Sequence, residues 1–415
     1  MTKVHEVEID GLGAQGDGLV NTPAQQRLYV PFALPGERWR IAEGERDEML
    51  CAHPQRVAAV CQHFGSCGGC VAQHMPDDLY VAWKRAMVVH AFLHRGIEAP
   101  VGPLVRVPAA SRRRVTLYAR RYRKNFHIGY YRAATHYILN VAECPIAEPA
   151  IVAALPVLRE MLEAVLLGQG EAGITILATP AGLDVQVTFI HVGSLRDAYP
   201  RMAVLAARHG FARLTVEKDT LMQSRRPLLT FGSVEVEPPP GAFVQAVAEA
   251  ETHMVRLIVA AAGKAKRIAD LFCGIGTFTF PLARYARVLA LDHQEESIAA
   301  LKAAARRSQG LKPIEAKMRD LFRVPISAKE LDEFDAVVLD PSRSGAESQA
   351  HQLAHSSVPV VICVSCNPGT LARDVRIMLD GGYALQSVSP IDQFLYAPHV
   401  EAIAVLRRQK RSPRF

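Results

Sequence analysis

The chain has 415 residues, 49% of them hydrophobic and 21% charged, with 28 Gly and 26 Pro, which excludes a disordered, collagen-like or low-complexity polypeptide. It lacks a run of about 18 apolar residues, and its charged start (Lys3, His5, Glu6, Glu8) lacks a signal peptide's apolar core, so a cytoplasmic protein of several domains and no membrane is expected. The net charge of +7 is local: residues 99–142 hold nine basic side chains and no acid, the stretch after Glu401 adds Arg407, Arg408, Lys410, Arg411 and Arg414, and the remainder is at −7, which suits a polyanionic partner.

Residues 1–55 read as short alternating segments (3–9, 26–30, 38–42) broken by glycine turns, the pattern of a small five-stranded barrel of the oligonucleotide-binding kind. Between 56 and 240 the spacing predicts a helix over 80–94, a basic hairpin over 115–131, a helix over 151–167 and strands at 173–177 and 183–189, an α+β body. Pro238-Pro239-Pro240-Gly241 marks a boundary, because consecutive prolines stop any regular element. From 241 to 415 helix and strand alternate. A helix over 243–262 precedes strands at 268–272, 288–292, 314–318, 336–340 and 358–364, with helices over 294–307 and 370–379. Strands at 384–390 and 400–406 close the chain with no helix between them. Such alternation predicts a doubly wound, mainly parallel sheet with an antiparallel edge. Three domains, 1–55, 56–240 and 241–415, are expected.

The first strand of that sheet runs into Asp270-Leu271-Phe272-Cys273-Gly274-Ile275-Gly276-Thr277-Phe278-Thr279. A Gly-x-Gly turn after a buried strand lets backbone approach a ligand closely, yet the third glycine of the dinucleotide fingerprint is absent, so an adenosyl compound is a more natural ligand than a pyrophosphate. Asp292, eighteen residues after Gly274, ends the second strand where an acid can hold ribose hydroxyls. Cys366, in Ser365-Cys366-Asn367-Pro368, stands at the carboxyl edge of the sheet beside a helix start. That position is expected to lower its pKa and make it a nucleophile. Cys363 within the strand and Cys273 in the turn read as packing residues. Cys61, Cys67 and Cys70 share one loop, with Cys144 as a remote fourth. Four thiolates suit zinc or an iron–sulfur cluster, and three clustered ligands plus one remote fit [4Fe–4S] better.

Taken together these segments resemble the 5-methyluridine RNA methyltransferases, specifically the branch acting on 23S ribosomal RNA. The likeness includes a TRAM-type barrel, the Cys61, Cys67, Cys70, Cys144 motif, Gly129-Tyr130-Tyr131-Arg132, Phe243-Val244-Gln245, the 270–277 turn, Asp340-Pro341-Ser342-Arg343-Ser344-Gly345-Ala346, Ser365-Cys366-Asn367-Pro368 and His399-Val400-Glu401. The resemblance implies S-adenosylmethionine as methyl donor, a [4Fe–4S] cluster, and a monomer whose partner is RNA. It also implies cofactor contacts from Gln245, Phe272, Thr277, Asp292, Asp320 and Asp340, with Cys366 as nucleophile and Glu401 as general base, which His399 would help to orient. Substrate RNA is expected across residues 99–142, where Tyr118, Tyr122, Phe126, Tyr130, Tyr131 and Tyr137 interleave with the arginines, about half of them facing the hairpin's own core. Two rivals are an RNA 5-methylcytosine methyltransferase, disfavoured because Ser342 rather than a cysteine follows Pro341, and a non-catalytic iron–sulfur RNA-binding protein, disfavoured because Cys366 and Glu401 are both present.

Overall fold

The computed structural model describes residues 4–21, 27–42, 47–166, 170–190 and 195–409. The C-terminal alternation builds an eight-stranded sheet from β1 (Arg267–Leu271), β2 (Arg287–Asp292), β3 (Ile314–Met318), β4 (Ala336–Leu339), β5 (Val360–Ser365), β6 (Tyr383–Asp392) and β7 (Glu401–Arg408). The order is β3-β2-β1-β4-β5-β7-β6, and Val105–Arg106, from far earlier in the chain, pairs beyond β6 as the eighth strand. Only β7 runs against its neighbours. Every residue of β4 and β5 is buried, as expected of parallel strands covered on both faces.

Three helices matter for the site: α1 (Asp77–Leu93), α2 (Ala248–Ala262) and α3 (Pro368–Asp380). Val88 and Phe92 of α1 join Leu371 and Val375 of α3 in the core on one face of the sheet, while Met254 and Ile258 of α2 cover the other. The helix expected over 243–262 begins only at Ala248. The residues before it run alongside Arg113, whose N–H donates to the Ala246 carbonyl (2.9 Å) and whose Nε donates to the Gln245 carbonyl (3.1 Å). Those carbonyls are thereby bonded outside any helix, and Gln245 is delivered into the sheet edge.

A second sheet of six strands has the order Asp219–Gln223, Arg213–Val216, Gly182–Ile190, Glu171–Thr179, Arg114–Tyr122 and Asn125–Gly129. One face packs on Leu155–Glu163 and Tyr199–Arg208. The helix expected over 151–167 is two, Pro149–Ala153 and Leu155–Glu163, because Pro156 lacks the N–H a continuous helix would need; residue 167 lies outside the described residues. Among the described residues the N-terminal segments form two three-stranded antiparallel sheets, built from strands of two to five residues, rather than one five-stranded barrel. Ile9, Val20, Val30 and Trp39 form their common core. Among the described residues no helix is long and apolar enough to cross a membrane.

Many of the arginines in residues 99–142 and in the basic tail serve the fold. Arg113 is buried and pairs with buried Glu251 of α2 (2.7 Å). Arg114 donates to the carbonyls of Gly241 and Ala242, and Arg121 to those of Glu163 and Leu166. Arg408 caps the Leu353, Ala354 and Gly381 carbonyls and lies 4.2 Å over the Tyr383 ring. Lys410, Arg411 and Arg414 lie outside the described residues. Removing one partner of a buried pair strands the other charge, so Arg113→Ala is expected to destabilise the protein by about 3–5 kcal/mol. Urea unfolding would check this, and a loss below about 1 kcal/mol, typical of an exposed pair, would contradict the buried role.

Candidate active site

The carboxyl edge of the sheet gathers side chains from five separate segments at the switch point where the strand order reverses between β1 and β4. Cys366 follows β5 directly and is half-buried. The helix behind it does not lower its pKa as the sequence suggested. Burial pushes the thiol up to about 11, helped by the charges of Glu401 and Asp340, with Arg343 pulling the other way. The helix terminus has little left to offer: Asn367 caps it by accepting from Gly369 N–H (3.0 Å), and Pro368 has no N–H. Arg343 is set beside the loop by its own carbonyl, which accepts from Asn367 Nδ2 (3.1 Å).

Glu401 opens β7 and is 3% exposed. Burial first, then the charge of Asp340, raises its carboxyl to about 8, although a hydrogen bond from Gln393 favours the ionised form. Asp340, just past β4, is raised to about 7 by burial and by the charge of Asp270, opposed by Gln245. Asp270 in β1 is fully buried and likewise raised to about 7, opposed by its Thr279 hydrogen bond (2.5 Å).

The two outer acids are joined through two amides. Gln245 Nε2 donates to Asp340 Oδ2 (3.0 Å), while Gln393 Nε2 donates both to Gln245 Oε1 (2.9 Å) and to Glu401 Oε2 (2.6 Å). Gln393 Oε1 accepts from Ala246 N–H (3.1 Å) and so orients its own amide. Sequence reasoning missed Gln393; its only signal was a polar pair, Asp392-Gln393, at the end of a strand. His399, expected beside Glu401, instead has Nδ1 3.5 Å from Arg343 Nη2, and the hydrogen bond that orients Glu401 comes from Gln393.

At the glycine turn, Gly276 has φ +100° and a Cβ there would sit 2.6 Å from Phe280, so only glycine permits this packing. Asp292 Oδ2 accepts from Gly274 N–H (2.9 Å) and Oδ1 from Gln294 N–H (2.9 Å), which ties the end of β2 to the turn. Phe272 adopts φ +61°, a costly conformation for a bulky residue, and its ring lies 5.1 Å from that of Phe322. Asp320 accepts from the N–H groups of Phe322 and Arg323 and thereby holds Phe322 near that ring. Thr277 is half-buried in the turn. Cys273 and Cys363 are buried, as expected of packing residues.

Cys366 opens onto a cleft of about 1090 Å³. Arg343, Cys366 and His399 line it together with Trp83 and His90 of α1, Arg95 just after that helix, and Leu12 and Tyr29 of the N-terminal sheets. On the six-stranded sheet the uncovered face carries Tyr118 and Tyr131 with rings 4.3 Å apart and Tyr122 stacked on Tyr137 at 4.4 Å, with Arg120 and Arg132 beside them. Phe126 is in the core and the Tyr130 hydroxyl lies against Cys144 (3.8 Å), so these two aromatics do not join that face.

Cys61, Cys67, Cys70 and Cys144 line one small cavity with Tyr130 and Gln73, and none is in a disulfide. Burial pushes up the thiols of Cys61, Cys67 and Cys70, that of Cys70 to about 12. Among the described residues no group of three or more His, Cys, Asp or Glu is spaced to hold a metal ion.

A model of the tRNA (uracil-5-)-methyltransferase family matches residues 124–409. The chain belongs to that family. The methyltransferase is 43% identical over 415 residues to an uncharacterized RNA methyltransferase of Brucella suis, with 99% of each chain covered. It is 29% identical to the 23S rRNA (uracil(1939)-C(5))-methyltransferase RlmD of Chromohalobacter salexigens, which covers 97% of this chain and 89% of that one. The tRNA (uracil-54, C5)-methyltransferase of Pyrococcus abyssi, solved with S-adenosyl-L-homocysteine, shares the fold with a TM-score of 0.70 at 22% identity, over 98% of this chain and 100% of that one.

The three raised carboxyls at this edge of the methyltransferase set a pH dependence. A carboxyl held above its unfolded value favours the folded state below that value, near pH 4, and the advantage is lost as the pH rises towards the folded value, about 7 for Asp270 and Asp340 and about 8 for Glu401. The urea midpoint of the wild type is expected to fall between pH 5 and pH 8, and to fall less in Glu401→Gln. An equal slope for both would refute the assignment of Glu401.

Proposed function

We propose that this methyltransferase moves a methyl group from S-adenosylmethionine to carbon 5 of a specific uridine in 23S ribosomal RNA, through a transient bond between Cys366 and the ring. One observation carries the reading: a thiol facing a large cleft shares a sheet edge with a buried carboxylate whose proton affinity is raised. Likeness to a 23S rRNA enzyme over nearly the whole chain supports the substrate. When bound, S-adenosylmethionine supplies an electrophilic methyl on a cationic sulfur. Gln245, Phe272, Thr277, Asp292, Asp320 and Asp340 are the residues that would hold it, and the site suits such a cation. The hydrogen bonds to Asp340 and Asp270 come from neutral Gln245 and Thr279, so a positive ligand relieves a repulsion the protein leaves standing.

Carbon 5 of uracil is a weak nucleophile, and the protein's part is to activate it. Cys366 gives up its proton to water in the cleft and Sγ adds to carbon 6; the 5,6 double-bond electrons are released as an enolate, and carbon 5 takes up the methyl as the methyl's bond to the cationic sulfur breaks, leaving a neutral thioether. The Glu401 carboxylate then accepts the proton left on carbon 5, and that electron pair restores the double bond as Sγ departs. Arg343 favours the thiolate. A stacked base is out of reach, so the nucleotide is flipped into the cleft, while the open tyrosine face of the central sheet stacks further bases and Arg120 and Arg132 hold phosphates. Residues 1–55 serve as a TRAM-like RNA-binding unit, 56–240 as an iron–sulfur and RNA-binding unit and 241–415 as the transferase, working in the cytoplasm as a monomer.

Cys61, Cys67, Cys70 and Cys144 would hold a [4Fe–4S] cluster, which would staple the cysteine loop to the segment around Pro145. The donor set suits it: four free thiols line one cavity, and four thiolates are the ligands such a cluster takes. Anaerobically purified protein is expected to be brown with iron and sulfide bound, and stoichiometric zinc without iron would overturn this part.

Cys366→Ala is expected to abolish methylation of RNA from a strain lacking the protein while S-adenosylmethionine still binds in equilibrium dialysis. Turnover like the wild type's would sink the mechanism. Mapping 5-methyluridine in ribosomal and transfer RNA of that strain identifies the target, and an unchanged 23S rRNA would refute the substrate.

A further inference from the structure

Lys84 is a fully buried lysine that no step above uses. It lies one helical turn from Tyr80 on α1, so both side chains leave the same face. That face meets the loop between β6 and β7. Lys84 Nζ donates to the carbonyls of Phe394 (2.9 Å) and His399 (2.5 Å) and lies 2.7 Å from Asp392 Oδ1, an ion-pair contact off the hydrogen-bond direction. The Tyr80 hydroxyl donates to Asp392 Oδ2 (2.5 Å) and accepts from Tyr396 N–H (2.9 Å).

These contacts clasp the loop at both ends. Asp392 and Phe394 flank Gln393, whose amide holds Glu401, and His399 stands two residues before Glu401. A lysine brought wholly out of water is costly unless its donors are engaged. Here they are engaged by the one loop whose shape decides where the carboxylate points. Helix α1 is itself anchored elsewhere, by Trp83 Nε1 donating to the Gly13 carbonyl (2.9 Å) and Arg85 to the Val101 and Gly102 carbonyls. It is therefore a fixed frame for the loop.

We propose that Lys84, with Tyr80, is a positioning residue for proton removal from carbon 5: it fixes the 393–400 loop so that Gln393 presents Glu401 to the methylated ring. The proposal rests on the reading of Glu401 as general base. Because a displaced base stalls the reaction after methyl transfer, the signature is a covalent RNA–protein adduct that survives denaturation, which a general loss of packing would not produce.

The test uses the full chain, RNA from a strain lacking the protein and S-adenosylmethionine, with turnover and denaturing gels as readouts. Glu401→Gln is the reference and is expected to accumulate adduct; if it does not, the mechanism above fails, and this inference with it. Removing the buried pair together, in Lys84→Met/Asp392→Asn, avoids stranding one charge. This variant is expected to bind S-adenosylmethionine, to lose about 10²-fold in kcat, the scale of a small misplacement of a reacting group, and to accumulate adduct. Normal turnover, or slow turnover without adduct, would overturn the proposal while leaving the mechanism intact. Should the double variant lose cofactor binding, Tyr80→Phe, which keeps the ring and removes only the hydroxyl, decides: reduced kcat with adduct supports the proposal and unchanged kcat overturns it.

Discussion

Two neutral amides, Gln245 and Gln393, hold two buried acids at the catalytic edge of the sheet, and the rest of the site depends on their neutrality. An amide fixes the direction of a carboxylate by hydrogen bonding without cancelling its charge. The contrast lies in the same chain, where Asp184 is met bidentately by Arg213 (2.8 and 2.6 Å). That pair is internally compensated and available for nothing else. Asp340 and Glu401 are met by amides instead, and burial together with a neighbouring acid, Asp270 for Asp340 and Asp340 for Glu401, raises their proton affinity. In the proposed reaction such a site favours a cationic ligand on one side and accepts a proton on the other.

Keeping those amides in place takes segments far apart in the chain. Gln245 sits in an extended stretch because Arg113, anchored on Glu251, draws the Gln245 and Ala246 carbonyls away from helix α2. Gln393 sits at the start of a loop fastened by Lys84 and Tyr80 of α1. The segment after Cys70 joins in, with Val71 N–H donating to the Tyr396 carbonyl (2.8 Å). The cysteine loop and the loop after β6 are therefore neighbours in one hydrogen-bonded frame.

The basic stretch shows why charge counts locate a surface poorly. Arg113, Arg114 and Arg121 spend their donors on carboxylates and carbonyls of their own fold. Arg132 lies beside Tyr137, and Arg120 beside Tyr122 while also 3.7 Å from Glu171. Within Arg114–Tyr122 the alternation sets Arg121 on the face opposite Tyr118, Arg120 and Tyr122, because successive residues point to opposite faces. Phe126 falls on the core face and Tyr118, Tyr122 on the open one. Composition predicted an aromatic and basic surface; the pleat chose its members.

The sequence by itself determined the alternating sheet, because buried parallel strands are written as short apolar runs such as Ala336 to Leu339, and it placed Cys366, Asp340 and Asp292 at strand ends, where open sheets keep their ligands. It also singled out Glu401 and the four cysteines through motif resemblance. The tertiary structure decided what depends on distance and burial across the chain. Cys366 is raised rather than lowered because the folded chain buries it and two acids from other strands face it, Gln393 rather than His399 orients Glu401, and residues 243–247 are drawn out of the helix by Arg113. Each outcome is a competition between local preference and a partner brought in from another strand, from more than a hundred residues away, or from elsewhere on the same loop. Local patterning specifies periodicity and apolar content, whereas the partner of a buried polar group is specified only when the chain closes on itself.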